Sequence, residues 1–198
     1  MPVKQTLPAD TIDAIKQSIV RGDSLLNQGV PINLDENIAN STNCYAYSIG
    51  IMYNFLTKTR GFYNPGFTEY DCFKPEDTPE DLMTRVKHDL DNLGIKYREI
   101  MPDEKTKLNE NEYLVKLFMA DPNVKIPRGD FHFIRQDRKS GKWFHKLGWV
   151  RQPDIIQSDP GFQDDSIPGD EPDTFTTHCE DGFSYVYYEV GYLAIEEP

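Results

Sequence analysis

Cys44 follows Asn43 where a polar, Asn-rich stretch gives way to an apolar run. A thiol at such a boundary is a candidate nucleophile. If the apolar run is a helix, its first turn offers unpaired backbone N–H groups and the positive end of the dipole to a thiolate. The same N–H groups can polarise a carbonyl oxygen, and Asn43 or Asn40 can add a side-chain donor to that oxyanion. By position alone Cys44 reads equally as a small buried residue, the commonest fate of a cysteine.

A nucleophilic thiol needs an imidazole to take and return protons, and a third group to orient the imidazole. Of the four histidines, His145 is the preferred base, because it follows the bulky pair Trp143-Phe144 near a strand end. His132, alternating with Phe131 and Phe133, is the rival base or a core histidine. Asp159, in a Ser-Asp-Pro-Gly turn, is the orienting carboxylate or simply a turn starter. Asp130 and Asp154 are its understudies. His178-Cys179 beside Glu180-Asp181 has no second ligand pair, and HExxH is absent, so no metal site is expected. No cofactor is called for.

These residues must be carried by a definite order of elements. Helical periodicity covers residues 9 to 29, with Asp10 as N-cap, Gly22 weakening the middle and Gly29 closing the end. Residues 30 to 43 read as a loop. Cys44 to Leu56 is apolar on nearly all faces, which predicts a helix surrounded by protein, and Tyr63-Asn64-Pro65-Gly66 is a turn. The clearest helix runs from about 79 to 93, with Thr78 as N-cap, Pro79 first and Gly94 ending it. His88 lies off its apolar stripe and is expected in solvent. A strand, Ile95 to Ile100, follows, then a shorter helix over about 110 to 120 with Leu114, Leu117 and Phe118 inward.

From Asp130 the pattern turns to strands. Asp130–Arg135 and Trp143–Leu147 form a hairpin through Ser140-Gly141. A short strand begins near Asp154, residues 163 to 173 make an acidic surface loop, and Phe183 to Ile195 is one long strand or two broken at Gly191. Helices first and strands later predict an α+β domain spanning 1 to 198, with N-terminal helices on a C-terminal antiparallel sheet.

Composition sets the outer bounds. With 198 residues, 38% hydrophobic and 12% aromatic, the chain can bury a core without staples. A net charge of −12 and a pI near 4.7 disfavour polyanionic partners, nucleic acid and anionic membrane surfaces alike. The run Arg135 to Lys146 could form a local basic patch, but its Asp-Arg-Lys-Ser-Gly-Lys centre, residues 137 to 142, reads more simply as a solvated hairpin tip. Three cysteines without CxxC spacing leave at least one thiol free. No Sec-type signal or membrane span is seen, so the expected setting is the cytoplasm or delivery by a dedicated secretion apparatus. The expected state is a monomer.

The order Cys44, His145, Asp159, with the thiol opening a buried helix and the imidazole on a later strand, resembles the papain-like cysteine proteases. It is similar in placement to compact bacterial effector proteases of that clan, of the type that cleaves Rab-family GTPases. The segments Asn43 to Tyr47, His132 to Arg135 and Trp143 to Lys146 are similar to a pattern in bacterial and phage proteins. There is no Cys-Gly-Ser-Cys-Trp, and no glutamine at the usual distance before Cys44. The resemblance implies Cys44 as nucleophile, His145 as base and acid, Asp159 as orienting carboxylate, and a protein or peptide substrate such as a host small GTPase. Deamidation and transglutamination use the same acyl-enzyme chemistry. A non-catalytic binding module of the same fold is the reading from a different class.

Overall fold

The segment around Pro79 folds as its sequence dictates. Helix α3, Pro79–Leu93, opens on a full capping box, with the Thr78 side chain accepting from Asp81 N and the Asp81 side chain accepting from Thr78 N. Gly94 closes it at φ 66°, in the left-handed region that glycine tolerates. Leu82, Val86, Leu90 and Leu93 are buried along one stripe, and His88 is partly exposed beside Glu69.

The computed structural model describes residues 6–26, 42–51, 63–105, 107–121, 129–146, 154–155, 171, 175–178 and 184–197. Besides α3 they contain helix α1, Ala9–Leu26, and helix α2, Cys44–Ser48. The strands are β1 Tyr97–Ile100, β2 Glu112–Ala120, β3 Phe131–Gln136, β4 Trp143–His145, β5 Asp154–Ile155, β6 Phe175–His178 and β7 Ser184–Glu196. All pair antiparallel in the order β1-β7-β2-β3-β4-β5, with β6 also on β7. The chain is therefore α+β, with helices packed on an antiparallel sheet. No helix among the described residues is long and apolar enough to cross a membrane.

Three expectations need correction. The segment expected as a helix over 110 to 120 is strand β2. Every residue in it is buried, because Tyr113, Val115, Leu117 and Met119 serve the helix-side core while Leu114, Phe118 and Ala120 serve a second cluster on the other face. A strand buried on both faces loses the alternation that distinguishes it from a helix. The Cys44 helix ends at Ser48 rather than near Leu56. Gly50 at φ 82° stops it, with Gly50 N–H bonded to Tyr47 O and Ile51 N–H to Ala46 O, a Schellman motif. Residues 52–56 lie outside the described residues. Helix α1 starts at Ala9, so Asp10 sits in its first turn and does not cap it, and Gly22 lies within the helix.

The long strand is continuous through Gly191, but the β2 register shifts between Leu117 and Phe118, leaving Val190 as the extra residue of a bulge. The expected hairpin is present. Asp137 N–H bonds Lys142 O, and the Asp137 carboxylate accepts from Ser140 N–H and Oγ. Its tip, Arg138 to Lys142, is exposed.

One buried polar group was not foreseen. Asp89, on α3, is 0% exposed and accepts from Tyr45 OH at 2.8 Å, Gly66 N–H at 2.7 Å, Thr68 N–H at 2.9 Å and Thr68 Oγ at 2.6 Å. Burial outweighs these four donors and pushes its carboxyl up to about 6. A raised folded value means that ionising Asp89 costs stability as pH rises from its ordinary value through about 6, on the order of 3 kcal/mol. Asp89→Asn is expected to be less stable than wild type, since the amide NH2 would face N–H and O–H donors, whereas even the protonated carboxyl keeps acceptor oxygens on both sides. Because asparagine does not titrate, that deficit should be largest near pH 4 and shrink towards pH 7. Urea unfolding of both proteins across this range checks it, and a deficit that grows with pH contradicts it.

Candidate active site

Helix α2 is too short to be stable alone, so its surroundings hold it. Asn43 caps it, with Oδ1 accepting from Ala46 N–H at 2.9 Å, while one Nδ2 hydrogen goes to Asn64 Oδ1 at 3.0 Å. The Asn43 side chain thus links the helix start to the turn at residue 64. The Tyr45 ring packs on Phe133 with centroids 5.0 Å apart. Cys44, Tyr45 and Ala46 all enter the helix-side core.

The thiol meets the edge of β3. Ala120 N–H donates to Asp130 O on the β2 side, so strand alternation turns the main-chain groups of Phe131 and Phe133 towards the β4 side. The last paired residue of β4 is His145, opposite Ile134. Past that end, Cys44 Sγ donates to Phe131 O at 3.9 Å, and the N–H groups of Phe133 and Tyr45 point at the sulfur. Among the described residues, Cys44 occupies the β3 edge where β4 stops.

The two histidines meet each other. His132 Nε2 and His145 Nδ1 are 3.2 Å apart, with the rings near perpendicular and both residues buried. Ile134 belongs to the second cluster, and His132 lies two residues before it on the same strand. Its register partner His145 falls on that face as well, across β3 from the core that holds Cys44. The thiol's side-chain hydrogen bond therefore runs to a carbonyl, and the imidazole nitrogens near β4 bond to each other. Asp159 and Asn40 lie outside the described residues, as does Cys179. Asp154 is the direct register partner of His145.

Electrostatics correct a further expectation. The helix start was expected to favour a thiolate, but burial pushes the Cys44 thiol up to about 12, and the Asp130 carboxylate adds to the rise. Hydrogen bonds from Phe133 and Tyr45 and the charge of Lys146 offset only part of it. A five-residue helix supplies too little dipole to compensate. Asp130 is held by Tyr187 OH and by Phe131 N–H, and its own carboxyl is raised, first by burial. Lys146 is 0% exposed, and burial brings its ammonium down to about 8. Sequence reasoning missed Lys146 as a member of this cluster, although it ends the Trp143 to Lys146 segment. The polarity of a residue due to be buried was the signal.

No protein-family model, curated protein or solved structure matches this chain.

Burial, and then the neighbouring His145, holds His132 well below the ordinary imidazole value. A depressed folded value favours the neutral ring. It gives stability that is present above pH 6.5 and lost as pH falls below it. In the folded protein the His132 ring signals should stay those of a neutral imidazole through pH 6.5. Ring-carbon NMR shifts measure this directly. A His132 midpoint at or above 6.5 contradicts the buried pair.

Proposed function

We propose that this protein is a cysteine-dependent amide hydrolase of papain-like design, with Cys44 as nucleophile and a peptide bond as target. The observation that carries the reading is a cluster. A buried thiol, a hydrogen-bonded imidazole pair, a buried carboxylate and a buried ammonium gather where α2 packs on β3 and the end of β4. Strongly perturbed titratable groups concentrated at one place are characteristic of sites that do chemistry.

In this reading the thiol at rest is protonated and bonded to Phe131 O. Turning about its Cα–Cβ bond frees Sγ at the open edge of β3, and a water passing round that edge carries its proton to His145, whose ring lies on the other face and shares a hydrogen bond with His132. Sγ then bonds the acyl carbon, the amine leaves with that proton, and water resolves the thioester with the imidazole as base. The N–H groups near Sγ are placed to receive the oxyanion. The orienting carboxylate is Asp159 by resemblance, and Asp154 by register. A host protein such as a small GTPase is the substrate class the resemblance implies, with delivery by a dedicated secretion apparatus. Side-chain deamidation and transglutamination follow from the same acyl-enzyme.

One observation favours a binding module with a degenerate site. A thiol held near 12 and hydrogen-bonded to a carbonyl is what a purely structural cysteine displays. The two readings separate on chemistry. Incubated with a proteome-derived peptide library, wild type is expected to cleave amide bonds and, on acid quench, to show an acyl adduct on Cys44. Cys44→Ala should lose at least about 10³-fold in rate, and His145→Gln should lose the adduct. A library left uncleaved, or cleaved equally by Cys44→Ala, decides for the binding module.

A further inference from the structure

We infer that the cavity between the middle of α1, the C-terminal end of α3 and the β1–β7 end of the sheet binds a small monocarboxylate with an apolar body, held by Lys16. The strand order β1-β7-β2-β3 sets two strands, β7 and β2, between this cavity and the β3 edge that holds Cys44. It is a separate site, and nothing in it depends on the acyl-transfer reading.

The cavity exists because two helices and the end of a strand converge on a glycine. Gly94 ends α3 at φ 66°, and the N–H groups of Gly94 and Ile95 close the helix onto Asp91 O and Leu90 O. The chain then enters β1, where Lys96 O accepts from Glu196 N–H. A space of about 280 Å³ is left between these segments and α1. Pockets that hold small organic molecules start at about 300 Å³, so the space suits a small one. Its apolar lining is Ile19 and Leu93, each 2% exposed, and the partly buried Ile95. Gly94 itself is exposed, and a Cβ there would lie 3.4 Å from Lys16 Nζ. The Lys16 ammonium therefore stands beside the end of α3, at the solvent side of the cavity.

The charges around the cavity do not balance. Lys96 Nζ pairs with Glu196 at 3.1 Å, and Glu197 pairs with Arg138 Nη1 at 2.6 Å. Each carboxylate of the lining thus has its own cation. Lys16 makes no hydrogen bond or ion pair among the described residues. The negative end of the α3 dipole favours an ammonium at this place, but Gly94 and Ile95 already donate to the last helix carbonyls, Asp91 O and Leu90 O. The ammonium is kept near the helix end with donors available to a ligand. The spare charge of the cavity is positive.

An apolar lining beside one unmatched ammonium selects a definite chemistry, a carboxylate joined to a short hydrocarbon or aromatic body. The body covers Ile19, Leu93 and Ile95, and the carboxylate accepts a charge-assisted hydrogen bond from Lys16. A neutral amide of the same shape lacks the charge, and an alkylammonium is repelled. The net charge of −12 is spread over the whole chain and is screened beyond about 10 Å, so the nearby ammonium decides.

Methyl NMR of the folded protein during titration with octanoate tests the site. The Ile19, Leu93 and Ile95 methyl signals are expected to shift together and saturate, with a Kd of about 1 mM for so small a ligand. Octanamide should bind about tenfold more weakly, and octylammonium should leave the signals in place. Lys16→Met is expected to lower octanoate to the octanamide level, while Lys16→Arg keeps it within about threefold of wild type. Lys16→Glu should reverse the preference, taking octylammonium and rejecting octanoate. Ile95→Trp, which puts a ring into the cavity, should remove binding of every probe.

Equal affinity for octanoate and octanamide overturns the inference, as does an octanoate affinity unchanged in Lys16→Met. Shifts of equal size at Leu82, at the other end of α3, mark detergent-like uptake and overturn it too. So does the absence of any shift at the three methyls with octanoate at about ten times the expected Kd. Should Ile95→Trp fail to fold, the Lys16 series decides alone, since that side chain is partly exposed. The titrations are expected to read the same in Cys44→Ala, so their outcome is independent of the peptide library.

Discussion

The site depends on a carboxylate that never touches it. Asp89 gathers Tyr45 OH, Gly66 N–H and both donors of Thr68 around one buried group. It thereby ties α3 to the turn at 66–68 and to α2. Helix α2 has five residues and no cooperative length of its own. Its place is set at two ends of one side chain, where the Tyr45 ring lies on Phe133 and its hydroxyl on Asp89. Cys44 is the residue before Tyr45, so its sulfur reaches β3 only while that clamp holds. No cation accompanies Asp89 among these contacts. Four donors replace its water, and burial still outweighs them. The turn it organises is demanding in its own right: a Cβ at Gly66 would lie 2.1 Å from Asp71 O, so only glycine permits the φ of 92° and the close approach there.

Where Asp89 was invisible in the sequence, other parts were plain, and the difference has a physical origin. Thr78, Pro79, Asp81 and Gly94 specify α3 through contacts within a few residues of chain, so local chemistry was enough to bound it. The hairpin around Ser140-Gly141 was legible for the same reason. Strand β2 was misread because both of its faces are buried, and only the tertiary fold supplies the second cover. The early end of α2 was written in Gly50, but the apolar residues beyond it drew the reading onward to Leu56. Asp89 lies one residue from His88 on a polar-looking helix, and nothing local says that its partners are 21 to 44 residues upstream.

The site divides along the same line. Cys44 at a helix start, capped by Asn43, was readable from adjacent residues. The meeting of His132 with His145 depends on the β3–β4 register, which sets Ile134 and not His132 opposite His145. Spacing named both histidines as candidate bases and treated them as rivals. The structure makes them a pair, and a hydrogen-bonded pair in a buried place admits one added proton far more readily than two. Lys146 was passed over because a lysine after a strand normally reaches solvent.

A buried thiol and an easily ionised thiol are opposing demands, and this site meets the first more fully than the second. The same packing that excludes water from Cys44 raises its thiol and lowers Lys146, since each loses the hydration of its charged form. Those two losses are largest when the charges form separately and smallest when they form together, because a thiolate and an ammonium in a weakly screened place stabilise each other. Nucleophilic attack is the moment at which sulfur gains negative charge. A neighbouring ammonium matters most then, and least while the thiol rests on Phe131 O. Under the proposed acyl transfer, such an arrangement, inert at rest and assisted during charge development, would favour the transition state over the ground state, the only kind of interaction that accelerates a chemical step. High resting thiol basicity and a catalytic role are therefore compatible, provided that the counter-charge is already in place when the proton leaves.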